Sequence, residues 1–261
     1  PEKVEDLIAE GARLVKSPAD AAAEAEVFLL SLPSDSDVEE VVLGKQGLLD
    51  GARAGTVIVD TTSGTPKGAQ QIAASARARG VEYLDAPISG GVKGAIEGTL
   101  TFIVGGEEEA LEKARPLMNH LGSHIFLVGP PGAGRMLKAI NQIISALNTL
   151  TLCETIVLAR KAGISPQTFY DVLSKCAANS YHLQTKVGQF ILPGKFEPGF
   201  RIELLLKDLE IALTAAREYE TPMLLTGLAS QTYRAAGSAG YAQKDISAAA
   251  LFLGGLVGVS F

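Results

Sequence analysis

The sequence predicts an open, mostly parallel α/β sheet followed by an all-helical region, and three observations carry that prediction. Apolar runs short enough for strands alternate with helix-period segments as far as Val128. After Gly132 the pattern is helical throughout. Between the two stands Gly129-Pro130-Pro131-Gly132, a stiff turn that places a domain boundary between residues 1–129 and 130–261.

Each element follows from local chemistry. Residues 1–11 show helical spacing at Val4, Leu7 and Ile8 and stop at Gly11. Residues 12–15 read as a short strand. Ser17-Pro18 opens a second helix, with serine at the cap and proline at the first position. Residues 26–32 (EVFLLSL) form a continuous apolar run, expected to be a strand buried on both faces. A capped helix starts after Pro33. Residues 56–60 (TVIVD) give another buried strand, followed by a helix to about residue 79. Strands are expected at 81–85, 98–105 and 124–128, with a helix at 107–121.

Composition narrows the function. A chain of 261 residues has room for two domains. Its 47% hydrophobic content and mean hydropathy of +0.21 point to a large helix–helix or subunit interface. A net charge of −6 without a basic cluster makes nucleic acid and anionic membranes poor partners. Cys153 and Cys176 lie in helical, apolar patterns and read as two small buried side chains in a reducing compartment. No signal peptide is visible, and the apolar run at 246–261 is shorter than the ~20 residues a bilayer needs. It reads as a terminal helix packed on protein.

Chemistry concentrates in a few stretches. Residues 132–142 (GAGRMLKAINQ) open a long helix whose Ile140, Ile143, Ile144, Leu147 and Leu150 are expected to form its core face. The two glycines are expected to let the backbone approach a ligand. Lys138, Asn141 and Gln142 fall within about one turn, so a cation and two amides converge. Near a helix N-terminus, and desolvated, the charged form of a lysine is disfavoured, which makes Lys138 a candidate proton donor and acceptor. The plain alternative is a solvated surface lysine.

In doubly wound sheets, ligands sit outside the carboxyl ends of the strands. Three small polar loops occupy that position: Leu32-Pro33-Ser34, Asp60-Thr61-Thr62-Ser63, and DAPISGG at 85–91. In the last, Ser89 offers a hydroxyl and Gly90 and Gly91 offer unobstructed amides, a cradle for a carboxylate. A simple Gly-rich turn is the alternative. His120, His124 and His182 are not at metal-ligand spacing, so no metal is expected.

On these motifs the chain resembles the β-hydroxyacid dehydrogenases, a family that includes 3-hydroxyisobutyrate dehydrogenase and tartronate semialdehyde reductase. DAPISGG is similar to the family's substrate loop, GAGRMLKAINQ to its catalytic helix, and FRIELLLKDLEIAL at 200–213 to its third block. SLPS at 31–34 and VDTTSGTP at 59–66 resemble its cofactor-side loops.

The resemblance implies an incomplete Rossmann-type, doubly wound parallel sheet joined by a long inter-domain helix to an all-α domain. It implies hydride transfer between NAD or NADP and a small 3-hydroxy acid or its semialdehyde, in a cytoplasmic homodimer or tetramer. Lys138 would be the general acid/base. Ser89, Gly90 and Gly91 would bind the substrate carboxylate, and either Asn141 or Gln142 would orient the substrate oxygen. Phe200 would wall the pocket. Leu32, Pro33 and Ser63 would border the cofactor, and Lys207 with Asp208 would border the nicotinamide and position the lysine.

The family opens with a strand, a G-x-G-x-x-G loop and a helix, and no such segment precedes the first loop here. Two expectations follow: an oxidoreductase lacking roughly its first 30 to 35 residues, the span of one β-α-β unit, or a shortened non-catalytic relative serving for binding or dimerisation. An imine reductase is disfavoured because those relatives usually carry another residue where Lys138 stands.

Overall fold

A computed structural model describes residues 4–197 and 199–261. The chain divides into two compact units, one of Pro1–Gly90 with Gly94–Arg135, the other of Gly91–Lys93 with Met136–Phe261.

The first unit is built on short apolar strands. β1 (Val27–Leu30), β2 (Val57–Asp60) and β3 (Glu82–Asp85) run parallel, with Asp60 beside Asp85 at their carboxyl ends. β4 (Ile88–Ser89) and β5 (Leu100–Gly105) follow, and β5 meets both β3 and β4 antiparallel. β6 (Gly122–Gly129) pairs parallel with β5 and completes a mixed six-stranded sheet. Alternation along β2 and β3 sends Ile58 and Tyr83 to one face and Val57, Val59 and Leu84 to the other.

Helices cover both faces. α3 (Asp35–Leu43), α4 (Leu48–Gly51) and α5 (Pro66–Arg77) bury Val38, Leu48 and Ile72 against Ile58, while α7 (Glu108–Met118) buries Leu111 and Met118 against Val59. Each fully buried aliphatic side chain contributes about 1.5–3 kcal/mol. Caps set the helix starts: Ser17 Oγ accepts from Asp20 N ahead of α2 (Pro18–Ala22), and Thr65 Oγ1 accepts from Gly68 N ahead of α5.

Three expectations are corrected here. Residues 12–15 form no strand: Leu14 and Val15 are exposed, and among the described residues nothing offers this segment a sheet partner. β1 is not buried on both faces among the described residues, since Leu29 is 39% exposed. The DAPISGG stretch is more than a loop, since Ile88 and Ser89 pair with Phe102 and Thr101 and a short helix, α6 (Gly91–Glu97), follows.

The second unit is helical. It contains most of α8 (Ala133–Lys161), then α9 (Pro166–Leu173), a π-helix (Leu183–Ile191), α10 (Ile202–Glu218), α11 (Leu224–Ala236) and α12 (Ala249–Leu256). Its core gathers Cys153, Ile156, Leu183, Leu205 and Tyr233. By length and composition alone α8 is apolar enough to cross a membrane, and its inward residues belong to this core.

The buried stripe of α8 is the expected one only in part: Ile143 and Leu150 pack against the core, but other expected positions turn outward. Ala139, Gln142, Ala146 and Thr149 face inward, whereas Ile140 and Ile144 are 41% and 53% exposed. Small residues allow closer helix approach, so packing selects the alanine face over the bulkier one. Cys176 is also corrected: it lies exposed in the turn after α9, whereas Cys153 is buried.

Candidate functional site

Ser89 ends β4 in the sheet unit, and the chain turns at Gly90 and the following Gly91, with φ of +130° and +63°. Only glycine adopts such angles freely, and a Cβ at Gly91 would meet nothing within 4 Å.

The loops after β1 and β2 are tied together. Leu32 N donates to Thr62 Oγ1 at 3.0 Å, and Thr61 Oγ1 donates to Leu30 O at 2.7 Å. Pro33 is exposed and Ser63 half-buried, so both loops present small residues at the carboxyl edge of parallel strands, where dinucleotides bind.

Asp85 opens the DAPISGG stretch and accepts from backbone N–H groups at the start of α8. Its Oδ1 accepts from Gly132 N at 2.7 Å and its Oδ2 from Arg135 N at 2.8 Å. Burial pushes its carboxyl up to about 6, against the pull of those two N–H donors. The glycines of the GAGR motif serve this packing. A Cβ at Gly134 would lie 2.3 Å from Ile103 O and 2.4 Å from Asp85 O, so Gly134 brings α8 against the sheet's own backbone, not against a ligand.

Sequence reasoning missed the centre of this region. Asp60 and Asp85 are neighbours in register, both with fully buried side chains. Arg135 answers them: Nη2 donates to Asp60 Oδ2 at 2.6 Å and to Tyr83 Oη at 3.2 Å, and Nη1 donates to Asp35 Oδ1 at 2.7 Å and to Thr65 O at 3.1 Å. Tyr83 Oη donates to Asp60 Oδ2 at 2.5 Å. The available signal was two strand-terminal aspartates followed by one arginine at a helix start, since buried carboxylates require a cation or helix amides.

In the helical unit, Lys138, Asn141, Gln142 and Asp208 come together. Gln142 Nε2 donates to Asp208 Oδ2 at 2.7 Å, and Asn141 Nδ2 donates to Gln142 Oε1 at 3.0 Å. Gln142 and Asp208 are each 6% exposed, whereas Asn141 is exposed and Lys138 half-buried. Burial lowers the Lys138 ammonium, and the Asp208 carboxylate raises it. Asp208 itself is raised by burial, against the Gln142 hydrogen bond and the charges of Lys138 and Lys207.

Phe200 is anchored through its backbone. Phe200 N donates to Asp245 Oδ2 at 2.9 Å, and the buried Asp245 also receives Lys186 Nζ at 2.8 Å. His182 holds Ser145 of α8 through Nε2 at 2.9 Å. Among the described residues no group of three or more His, Cys, Asp or Glu could hold a metal ion.

Residues 1–129 match the family model for the NAD-binding domain of 6-phosphogluconate dehydrogenase, and residues 132–253 match that for NAD-binding of NADP-dependent 3-hydroxyisobutyrate dehydrogenase. The 2-(hydroxymethyl)glutarate dehydrogenase of Eubacterium barkeri is 37% identical over 97% of this chain and 84% of its own length. The chain belongs to the β-hydroxyacid dehydrogenase family.

The 2-hydroxy-3-oxopropionate reductase of Escherichia coli is 35% identical over 94% of this chain and 83% of its own length. The structure of 3-hydroxyisobutyrate dehydrogenase from Mycobacterium tuberculosis with L-serine superposes with a TM-score of 0.90 at 32% identity. It covers 97% of this chain, which matches 88% of that one. The protein is therefore an NAD(P)-dependent oxidoreductase of small hydroxy acids, and relatives that match across nearly all of it are enzymes, not bare binding modules.

Proposed function

We propose that the protein interconverts a 3-hydroxy acid and its semialdehyde with Lys138 as the general acid/base. The observation that carries this reading is a half-buried lysine, lowered by its burial, beside an Asp208–Gln142 pair on α8 and α10. In oxidation the neutral Nζ accepts the hydroxyl proton as hydride leaves the alcohol carbon; in reduction the ammonium returns it. The nicotinamide cofactor, when bound, supplies the hydride exchange.

The other roles divide by exposure and by hydrogen-bond commitments. Ser89 and the amides of Gly90 and Gly91 bind the substrate carboxylate. Exposed Asn141 orients the substrate oxygen, and buried Gln142 holds Asp208 in place. Phe200 walls the substrate, Leu32, Pro33 and Ser63 border the cofactor, and Lys207 borders the nicotinamide. The relatives' names support the substrate class. 2-(Hydroxymethyl)glutarate, 2-hydroxy-3-oxopropionate and 3-hydroxyisobutyrate each carry a CH2OH or aldehyde carbon bonded directly to the carbon that bears a carboxylate.

A homodimer fits the surface of the helical unit. Ile140, Ile144, Leu224, Leu225 and Leu228 are 41–83% exposed in the single chain, and a largely apolar cavity of about 430 Å³ opens between α8 and α10. Apolar surface of this extent favours a second copy of the chain.

Lys138→Ala tests the proposal. Turnover should fall about 10²-fold or more with cofactor affinity nearly unchanged. Unaltered turnover would remove the lysine from the mechanism.

A further inference from the structure

We propose that Arg135 is a positioning residue for the cofactor: its guanidinium presets the two loops that carry Pro33 and Ser63. The inference rests on the reading that those loops border the cofactor. It assigns a role to a residue that does not reach the ligand itself.

The argument starts from the reach of one side chain. The loop after β2 begins at Asp60, the last residue of the strand, and ends at Thr65, the cap of α5. Arg135 holds both ends, Asp60 Oδ2 through Nη2 at 2.6 Å and Thr65 O through Nη1 at 3.1 Å. The same Nη1 holds Asp35 Oδ1 at 2.7 Å, and Asp35 opens α3 directly after the loop that follows β1. Asp35 Oδ2 then accepts from both Thr65 N and Thr65 Oγ1 at 2.8 Å. One planar fork therefore fixes the base of both loops, a geometry that lysine cannot reproduce.

The loop lies flat on this pair. A Cβ at Gly64 would stand 1.9 Å from Asp35 Oδ1 and 2.8 Å from Arg135 Nη1, so no side chain fits between Ser63 and the clamp. Arg135 is fully buried, and its Nε finds no partner among the described residues. A guanidinium placed only to neutralise Asp60 would not need the second arm to Asp35, whose side chain remains 26% exposed. The extra arm orders loop backbone before the cofactor arrives, so that ordering is not charged against binding.

The test compares three variants of the purified protein by titration of NADH and NADPH, substrate KM at saturating cofactor, and thermal unfolding. Asp35→Asn sets an amide N–H donor against the donors of Thr65 or Arg135, while Asp60 and Arg135 stay paired. Arg135→Lys keeps the charge beside Asp60 and loses the fork. Each should weaken the preferred cofactor about tenfold while substrate KM stays within about twofold. Ser63→Tyr obstructs the loop surface itself and should also weaken the cofactor.

Unchanged cofactor affinity in folded Asp35→Asn, with Ser63→Tyr impaired, overturns the role of Arg135 alone. Unchanged affinity in Ser63→Tyr overturns the reading of the loop, and the inference with it. Equal loss of cofactor and substrate affinity in Asp35→Asn marks general loosening and also overturns the inference.

Discussion

Replacing Asp85 by asparagine isolates the energetic consequence of a buried carboxylate at the start of α8. In the folded chain its carboxyl is pushed from 3.8 up to about 6, chiefly by burial. Between those values the native state binds a proton that the unfolded state does not, so stability falls as pH rises through that window. Across the whole window the loss corresponds to roughly 3 kcal/mol. Asparagine does not titrate and keeps a similar shape, so it removes this slope and leaves a constant offset. Urea unfolding of both proteins from pH 3.5 to pH 7 measures the difference. The stability of the natural protein minus that of Asp85→Asn should shrink with rising pH and level off above pH 6–7. A difference that grows with pH would refute the reasoning. It would mean that the amides of Gly132 and Arg135 outweigh burial and hold the carboxyl below 3.8.

Other perturbations test neighbouring claims. Asp208 raises the Lys138 ammonium, so Asp208→Asn should move the lower inflection of the kcat–pH profile for alcohol oxidation to lower pH; a shift to higher pH contradicts the assignment. Gly134→Ala puts a methyl 2.3 Å from Ile103 O and should cost about 3 kcal/mol or more in urea unfolding, whereas a neutral result means that α8 can shift away from the sheet. Burial pushes the Cys153 thiol up to about 12, so a thiol reagent at pH 8 should label only Cys176 in the native chain and both cysteines after denaturation. Ile144→Glu with Leu228→Glu should convert a dimer to monomer in sedimentation; an unchanged mass places the subunit contact elsewhere.

The sheet was legible where periodicity and burial coincide. Val57–Asp60 and Leu100–Gly105 stand close to their expected places because their apolar runs have one packing solution between two layers of helices. Residues 12–15 were misread because a strand needs a neighbour as well as a pattern, and a sequence does not name neighbours. The same gap explains α8. Spacing located the helix and the core contacts of Ile143 and Leu150 but also put Ile140 and Ile144 inward, since the choice between Ile140 and Ala139 depends on how closely other helices approach. Among candidate residues, Gln142 and Asp208 were visible as a motif, and their hydrogen bond required coordinates. Arg135, Asp60 and Asp35 lie up to 100 positions apart, and only the folded sheet makes them one cluster.

Asp60 and Asp85, side by side on adjacent strands, also constrain how this sequence can drift. With Arg135 present both acids are tolerated; a neutral residue there would strand Asp60 beside a second acid in an apolar interior. Descendants can lose the Asp60–Arg135 pair only in a particular sequence: the acid on β2 first, the base on α8 afterwards, because Arg135 still has Asp35 as a partner. Substitutions at positions 60 and 135 should therefore be inherited as a correlated pair, and a chimera that joins Asp60 from one parent to a neutral residue at position 135 from the other should fail to fold even where both parents are stable.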